Sequence, residues 1–345
     1  MEWLAEFGLF LAKAVTVVIA IGVAAAFVAG AAARHARTGR KRGTVPDVVH
    51  INRDYRRMTA AFERAALPRK SVRARRKADR TERKSRDREE RRRLAGGVDE
   101  GRRRRVFVLD FKGDLRASGV DALRDEVTMV LAVARERDEV VVRIENSGGA
   151  AHGHGLGASQ LARIRARRIP LTVTVDRVAA SGGYMMACVA DRILAAPFAV
   201  VGSIGAFAAI PNLHRLLESR GVDVEEFQAG EFKRTVTMLG KNTDEGRAKL
   251  QDQLDNIHKL FREFVAEYRP SLDMERVSTG EYWHGRDALD LNLVDELRTS
   301  DDYLYEASRE ADLYHFRGAG RPRLRHRLAE LAELAIDRFS IHLAR

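Results

Sequence analysis

Ser181 lies in the run Asp176-RVAA-Ser181-Gly-Gly-Tyr-Met-Met-Ala-Cys-Val-Ala-Asp191, a hydroxyl followed at once by two glycines and an apolar stretch. A serine in that setting can act as a nucleophile. Residues 171–175, LTVTV, are rich in β-branched side chains and follow Pro170, which predicts a short buried strand, and YMMACVA has the composition of a buried helix. A hydroxyl at a strand-to-helix joint faces unpaired N–H groups and the positive end of the helix dipole, which favour an alkoxide or a tetrahedral oxyanion. Gly182 and Gly183 allow a substrate backbone to approach with no Cβ in the way. The plainer reading makes Ser181 a helix N-cap and the glycines a packing contact. This segment alone leaves both readings open.

A nucleophilic serine needs a base and oxyanion donors. His152 and His154, in ENSGGAAHGHGLG (residues 145–157), would supply a Ser-His-Asp arrangement, although no Gly-x-Ser-x-Gly elbow surrounds Ser181. Lys233, in QAGEFKRTV (228–236), is the other base: a partly desolvated ammonium beside Gly230 and Phe232 loses its proton near neutral pH and can deprotonate serine. Its plainer reading is a solvated surface lysine. Gly148 and Gly149 follow a predicted strand at 140–145 and can present N–H groups to an oxyanion. The same stretch holds Gly153-x-Gly155-x-x-Ala158, formally a dinucleotide fingerprint, with Asp176 at a later strand end. Against it, several residues separate Gly153 from the strand that the first glycine should follow directly.

These residues need a frame. Strand-like VFVLDF (106–111), a helix-spaced apolar face over 121–137, VVVRIE (140–145), a helix over 156–168, LTVTV, the helix after Ser181 and RILAAP alternate in order. Such alternation predicts an α/β fold of repeated βαβ units with parallel strands and right-handed crossovers. Functional loops then sit at the carboxyl ends of the strands. A further strand at 222–227 precedes Lys233, and a polar helix is expected over 243–268.

The chain has 345 residues and a formal net charge of +12. Residues 34–105 hold 27 Lys+Arg against 10 Asp+Glu, so the basicity belongs to one segment and the rest is mildly acidic. Residues 14–33 carry no charge, close to the roughly 20 residues that cross a bilayer core. Glu2 and Glu6 replace the positive start of a signal peptide, and five Lys/Arg follow between Arg34 and Arg42, which reads as a retained single-pass anchor. The tract from 53 to 97 reads as a solvated helix or a disordered linker, interrupted at Pro68, whose charge suits anionic lipid headgroups. It lacks the aromatic interleaving of a nucleic-acid surface, so no nucleic acid is expected. Cys188 is the only cysteine, which excludes an intrachain disulfide and reads as a buried structural thiol.

Taken together, VLDFKG, ENSGGAAHGHGLGASQL, IPLTVTVDRVAASGGYMMACVADRILAAPFAVVGSIG, AGEFKRTVTMLGKNTDEGR and RPSLDMERVSTGEYWHG occur in the order of one family. The chain resembles the SohB-type branch of the signal peptide peptidase A family, membrane-anchored serine proteases on a ClpP/crotonase-like fold. The resemblance implies Ser181 as nucleophile, Lys233 as base, and Gly148, Gly149 and Gly182 as oxyanion donors, with no cofactor and no metal. It implies peptide substrates, and a homo-oligomeric ring in which Lys233 can act on Ser181 of a neighbouring protomer. Many members carry Ser-Pro-Gly-Gly where this chain has Asn146-Ser147-Gly148-Gly149, so the fixed φ of proline is absent.

The expected organisation is an anchor over 1–33, a basic linker over 34–105, a peptidase domain over 106–312 and an amphipathic tail over 313–345. The expected location is the plasma (inner) membrane. The basic flank places the domain in the cytoplasm, whereas the family's catalytic domains are placed outside it. Two other classes compete: a non-catalytic membrane scaffold, which a reactive-serine probe would not label, and an acyl-CoA enzyme of crotonase type, which would bind CoA and not need Lys233.

Overall fold

The computed structural model describes residues 47–95 and 103–317. The uncharged stretch at 14–33 and the tail beyond 317 lie outside the described residues. Among the described residues, no helix is long and apolar enough to cross a membrane.

The frame is a seven-stranded sheet. Its strands are β1 (Asp47–His50), β2 (Arg105–Lys112), β3 (Glu139–Glu145), β4 (Leu171–Val175), β6 (Arg192–Ala195), β9 (Glu296–Leu297) and β10 (Asp312–Arg317). They lie in the order β1-β10-β2-β3-β4-β6-β9. Only β1 runs antiparallel to its neighbour. Helices α3 (Val120–Val133) and α4 (Ala151–Ala166) are the crossovers between β2, β3 and β4, as the alternation predicts. A smaller sheet joins β5 (Val178–Ala180), β7 (Val200–Gly202) and β8 (Tyr282–His284), and an Asn146–Ala179 bridge ties it to the end of β3.

Side chains alternate across the large sheet. Phe107, Leu109 and Phe111 point into a core shared with Leu123, Val127 and Val130 of α3 and Leu161 and Ile164 of α4. Val106, Val108, Val141 and Leu194 face the other side, against Tyr303 and Leu304 of α10 (Ser300–Glu310). Both faces being covered explains why the central strands read as nearly continuous apolar runs.

Two expectations change. The basic segment is helical as α1 (Ile51–Ala66) and α2 (Arg69–Ala95), with the break at Leu67-Pro68, but its residues 47–50 enter the sheet as β1. Residues 222–227 form no strand. They belong to a segment, 206–243, whose only helix is the five-residue α6 (His214–Glu218) and which has no neighbouring strand to pair with. After it, α7 (Asp244–Tyr268) begins where the sequence predicts, with the Thr243 side chain accepting the Gly246 N–H. The remaining short helices are α5 (Gly182–Ala187), α8 (Met274–Val277) and α9 (Gly285–Asp290).

Candidate active site

Ser181 stands between β5 and α5, at the carboxyl-end side of the large sheet. Its φ of 51° and ψ of −120° are costly for a residue with a Cβ. Its N–H donates to the Gly202 carbonyl at 2.8 Å and its carbonyl accepts from Met185 at 2.9 Å, so the backbone is fixed at both sides. The hydroxyl makes no capping hydrogen bond. Ser181 occupies the N-cap position without doing the work of a cap, which removes the plain structural reason for a serine there. The strand feeding it is the three-residue β5 of the small sheet and not LTVTV, which ends six residues earlier as β4.

The glycine turn after β3 comes directly against it. A Cβ on Gly148 would stand 2.7 Å from Ser181 Cβ and 3.0 Å from Oγ, and one on Gly149 would stand 2.4 Å from the Leu115 carbonyl. Both positions also have φ in the region that favours glycine, 99° and 147°. The Gly148 N–H donates to Asn146 Oδ1 at 2.9 Å. Of the three glycines read as oxyanion donors, Gly148 thus has its amide engaged, whereas among the described residues no acceptor takes the Gly149 or Gly182 N–H. Gly149, the residue after Gly148, is exposed.

Asn146 organises this corner, a role the sequence reading missed. It is buried; its carbonyl accepts from Ala180 at 3.0 Å and its N–H donates to Val178 at 2.9 Å. A Cβ on Gly183 would meet the Asn146 carbonyl oxygen at 2.2 Å, and one on Gly113 the Asn146 side chain at 2.3 Å. The two glycines are therefore close-approach positions around one asparagine. Ser203 was also not singled out. The register Ala180–Gly202 places it next to Ser181 across the β5–β7 pair, at φ 52°.

The histidine alternatives dissolve. His152 is exposed. His154 is fully buried, its ring against Gly182, with Nδ1 3.0 Å from the Ala150 carbonyl. A carbonyl only accepts, so Nδ1 carries the proton, and no carboxylate orients the ring. Asp176 is committed elsewhere: its carboxylate accepts the Ser300 N–H at 2.8 Å and hydroxyl at 2.5 Å. The nucleotide rival fails on the same helix. Gly153, Gly155 and Ala158 lie inside α4, not in a strand-to-helix loop, and Gly157 is there for packing, since a Cβ would meet Met186 Sδ at 2.9 Å.

Lys233 lies in the exposed 206–243 segment, its N–H closing a turn onto the Gly230 carbonyl at 3.1 Å. Within the single chain no hydrogen bond joins it to Ser181. That segment ties to itself through Asn212, which donates to the Thr237 and Gly240 carbonyls at 3.0 Å, and through Thr237 to Glu226 at 2.6 Å. It leaves Phe207 and Phe227 88% and 91% exposed. Beside Lys233 a cleft of about 400 Å³ is lined by Phe232, Arg234, Thr237 and Lys241. Cys188 is buried, and burial pushes its thiol up out of reach of ionisation, as a structural thiol requires. Among the described residues no cluster of His, Cys, Asp or Glu could hold a metal ion.

The chain matches two family models, "Peptidase family S49 N-terminal" over residues 2–161 and "Peptidase family S49" over 163–314. It is 56% identical over 205 residues to "Probable protease SohB" of Haemophilus influenzae, covering 59% of this chain and 58% of the relative. It is 53% identical over 211 residues to the protein of the same name from Buchnera aphidicola, covering 61% and 63%. The match therefore spans about three fifths of the length of these relatives. Among solved structures, a mutant of the 1510-N membrane-bound stomatin-specific protease in complex with a substrate peptide has 12% identity and a TM-score of 0.43, over 66% of this chain and 99% of that one.

Proposed function

The chain belongs to peptidase family S49, and on that premise we propose that it is a serine-type endopeptidase of ClpP/crotonase-like fold using Ser181 and Lys233. The observation that carries the reading is Ser181 itself, a hydroxyl on a strained backbone with no capping hydrogen bond, packed directly against the Gly148 turn. Lys233 takes the Ser181 proton as Oγ bonds to the peptide carbonyl carbon, and the carbonyl oxygen becomes the oxyanion. The Gly149 and Gly182 N–H groups receive it, while Gly148 contributes room rather than a donor. The C–N bond then breaks, the proton passes from Lys233 to the leaving amine, and water hydrolyses the acyl-enzyme.

The substrates are signal-peptide remnants or other hydrophobic and unfolded peptides. The exposed 206–243 segment supports a homo-oligomeric ring in which Lys233 serves Ser181 of a neighbouring protomer. Residues 14–33 supply a single-pass anchor in the inner membrane, and the basic segment meets its lipid. The scaffold alternative has no observation in its favour, because a scaffold has no use for a serine on a strained backbone that makes no capping hydrogen bond.

The test is peptide cleavage by the detergent-solubilised full chain, with fluorophosphonate labelling in parallel. Ser181→Ala abolishes labelling and cleavage, and Lys233→Ala lowers cleavage by about a thousandfold or more. Full cleavage by either folded variant removes that residue from the mechanism.

A further inference from the structure

Helix α1 has one apolar stripe. Ile51, Tyr55, Met58 and Phe62 recur at four- and three-residue steps, with Ala65 and Ala66 continuing the line, while Arg53, Arg56, Arg57 and Arg64 take the opposite face. The described residues cover only the first half of that stripe. Asn52 bonds to α10 and β10, Ile51 packs against the core under α10, and the Tyr55 ring meets Tyr305 edge-on at 5.5 Å. Beyond it, Met58 is 60% and Phe62 73% exposed.

The direction of the helix is fixed by its contacts. Asn52 bonds to the carbonyls of Ser308 and Ala311, and Tyr55 lies three residues further back along α10, at Tyr305. Thus α1 runs antiparallel to α10, toward Ser300, which is bonded to Asp176 just past the carboxyl end of β4. Met58 and Phe62 therefore lie toward that end of the sheet. Asp47, where the chain enters β1, pairs with Arg317 at the carboxyl end of β10, so the entry point is at the same end. The residues immediately preceding it in sequence hold the uncharged stretch and its basic flank.

The next helix cannot cover the stripe. Residues 69–95 contain 14 Lys+Arg, 5 Asp+Glu and only two large apolar residues, Val72 and Leu94. What they add is positive charge next to an exposed apolar face, the combination by which a helix lies in the headgroup region of an anionic bilayer.

We propose that the second half of α1 is an interfacial docking surface, inserting Met58 and Phe62 into the surface of an anionic lipid bilayer while the arginines of α1 and α2 engage its headgroups. The proposal rests on the membrane attachment proposed above and adds to it a second, surface-bound contact that sets how the catalytic body stands on the bilayer.

Full-length protein carrying Phe62→Cys or Met58→Cys can be labelled selectively with bimane, because Cys188 is fully buried. After reconstitution in phosphatidylcholine bilayers with phosphatidylglycerol, the label is expected to be quenched by headgroup-level nitroxide lipid and shielded from aqueous iodide. Lipid quenching should drop at least twofold in pure phosphatidylcholine, and again when Arg53, Arg56, Arg57 and Arg64 are changed to Glu. A control label at Asp252→Cys, on α7, stays open to iodide. Iodide access at 58 and 62 equal to the control overturns the proposal. So does shielding from both quenchers, which would mean that protein covers the stripe. A label at Phe27→Cys tests the anchor separately: lipid quenching at 27 without quenching at 58 or 62 sinks only the docking surface, and none at any of the three sinks the membrane attachment as well.

Discussion

At residue scale, the glycine turn beside Ser181 is held by a side chain instead of the proline that many members of the family carry there. Asn146 accepts the Gly148 N–H and so fixes the direction of the next amide, that of Gly149. Asn146→Ala is expected to lower kcat about ten- to a hundredfold with little change in KM, because a misaimed donor weakens the transition state more than the bound substrate; steady-state kinetics on the folded variant check this. A second residue carries a pH dependence. Burial first, then the charges of Asp110 and Asp125, push the Glu126 carboxyl up to about 7. The folded chain then keeps a proton that the unfolded chain releases above its ordinary value of 4.5. Glu126 therefore costs nothing at low pH and subtracts stability as pH rises from there to about 7. Glu126→Gln should remove that decline and gain about 1–3 kcal/mol at pH 8, read from urea midpoints across the range. The place of Ser181 at a strand-to-helix joint was legible because a lone hydroxyl between an apolar run and Gly-Gly is a local pattern. The task of Asn146 was not, since an asparagine in a glycine loop reveals its bond only once the turn has a shape.

At the scale of elements, the long apolar strands and their crossover helices were legible from alternation alone. β5 was not, because three residues carry no period and the bridge that fixes them comes from Asn146, far away in sequence. The region at 222–227 failed for the converse reason: strand-like residues form no strand without a neighbour. β1 and the attachment of α1 to the body were hidden by charge, because arginine density reads as a solvated helix or linker even where an asparagine ties it to α10 and β10. Asn52 is buried, donates to the Ser308 and Ala311 carbonyls at 2.9 Å and accepts the Leu313 N–H at 2.8 Å. Asn52→Ala strands three backbone groups and should cost about 2–4 kcal/mol. Hydrogen exchange should show protection lost in β1, α1 and β10 while β2, β3 and β4 keep theirs.

At the scale of the whole molecule, the segment bearing Lys233 presents Phe207 and Phe227 to its surroundings and meets the body at the start of α7, where Lys249 lies over the Phe232 ring. If its base serves the next protomer, co-assembled Ser181→Ala and Lys233→Ala chains, each inactive alone, should regain activity at about a quarter of the sites, the share for random mixing in a closed ring. Mixtures that stay inactive while size-exclusion shows mixed assemblies place the dyad within one chain. No pattern in one sequence reveals such a division, because spacing along a chain says nothing of a second copy. The last strand of the sheet carries a different consequence. β10 lies between β1 and β2, and the Asn52 clamp closes on Leu313, 261 residues later. At about 5–20 residues per second, the ribosome needs roughly 13–50 s to deliver that partner. Throughout that interval β1 has nothing to pair with, and once β2 is made it is an open edge, the kind that recruits other chains. A nascent chain that stalls before residue 312 keeps both edges open.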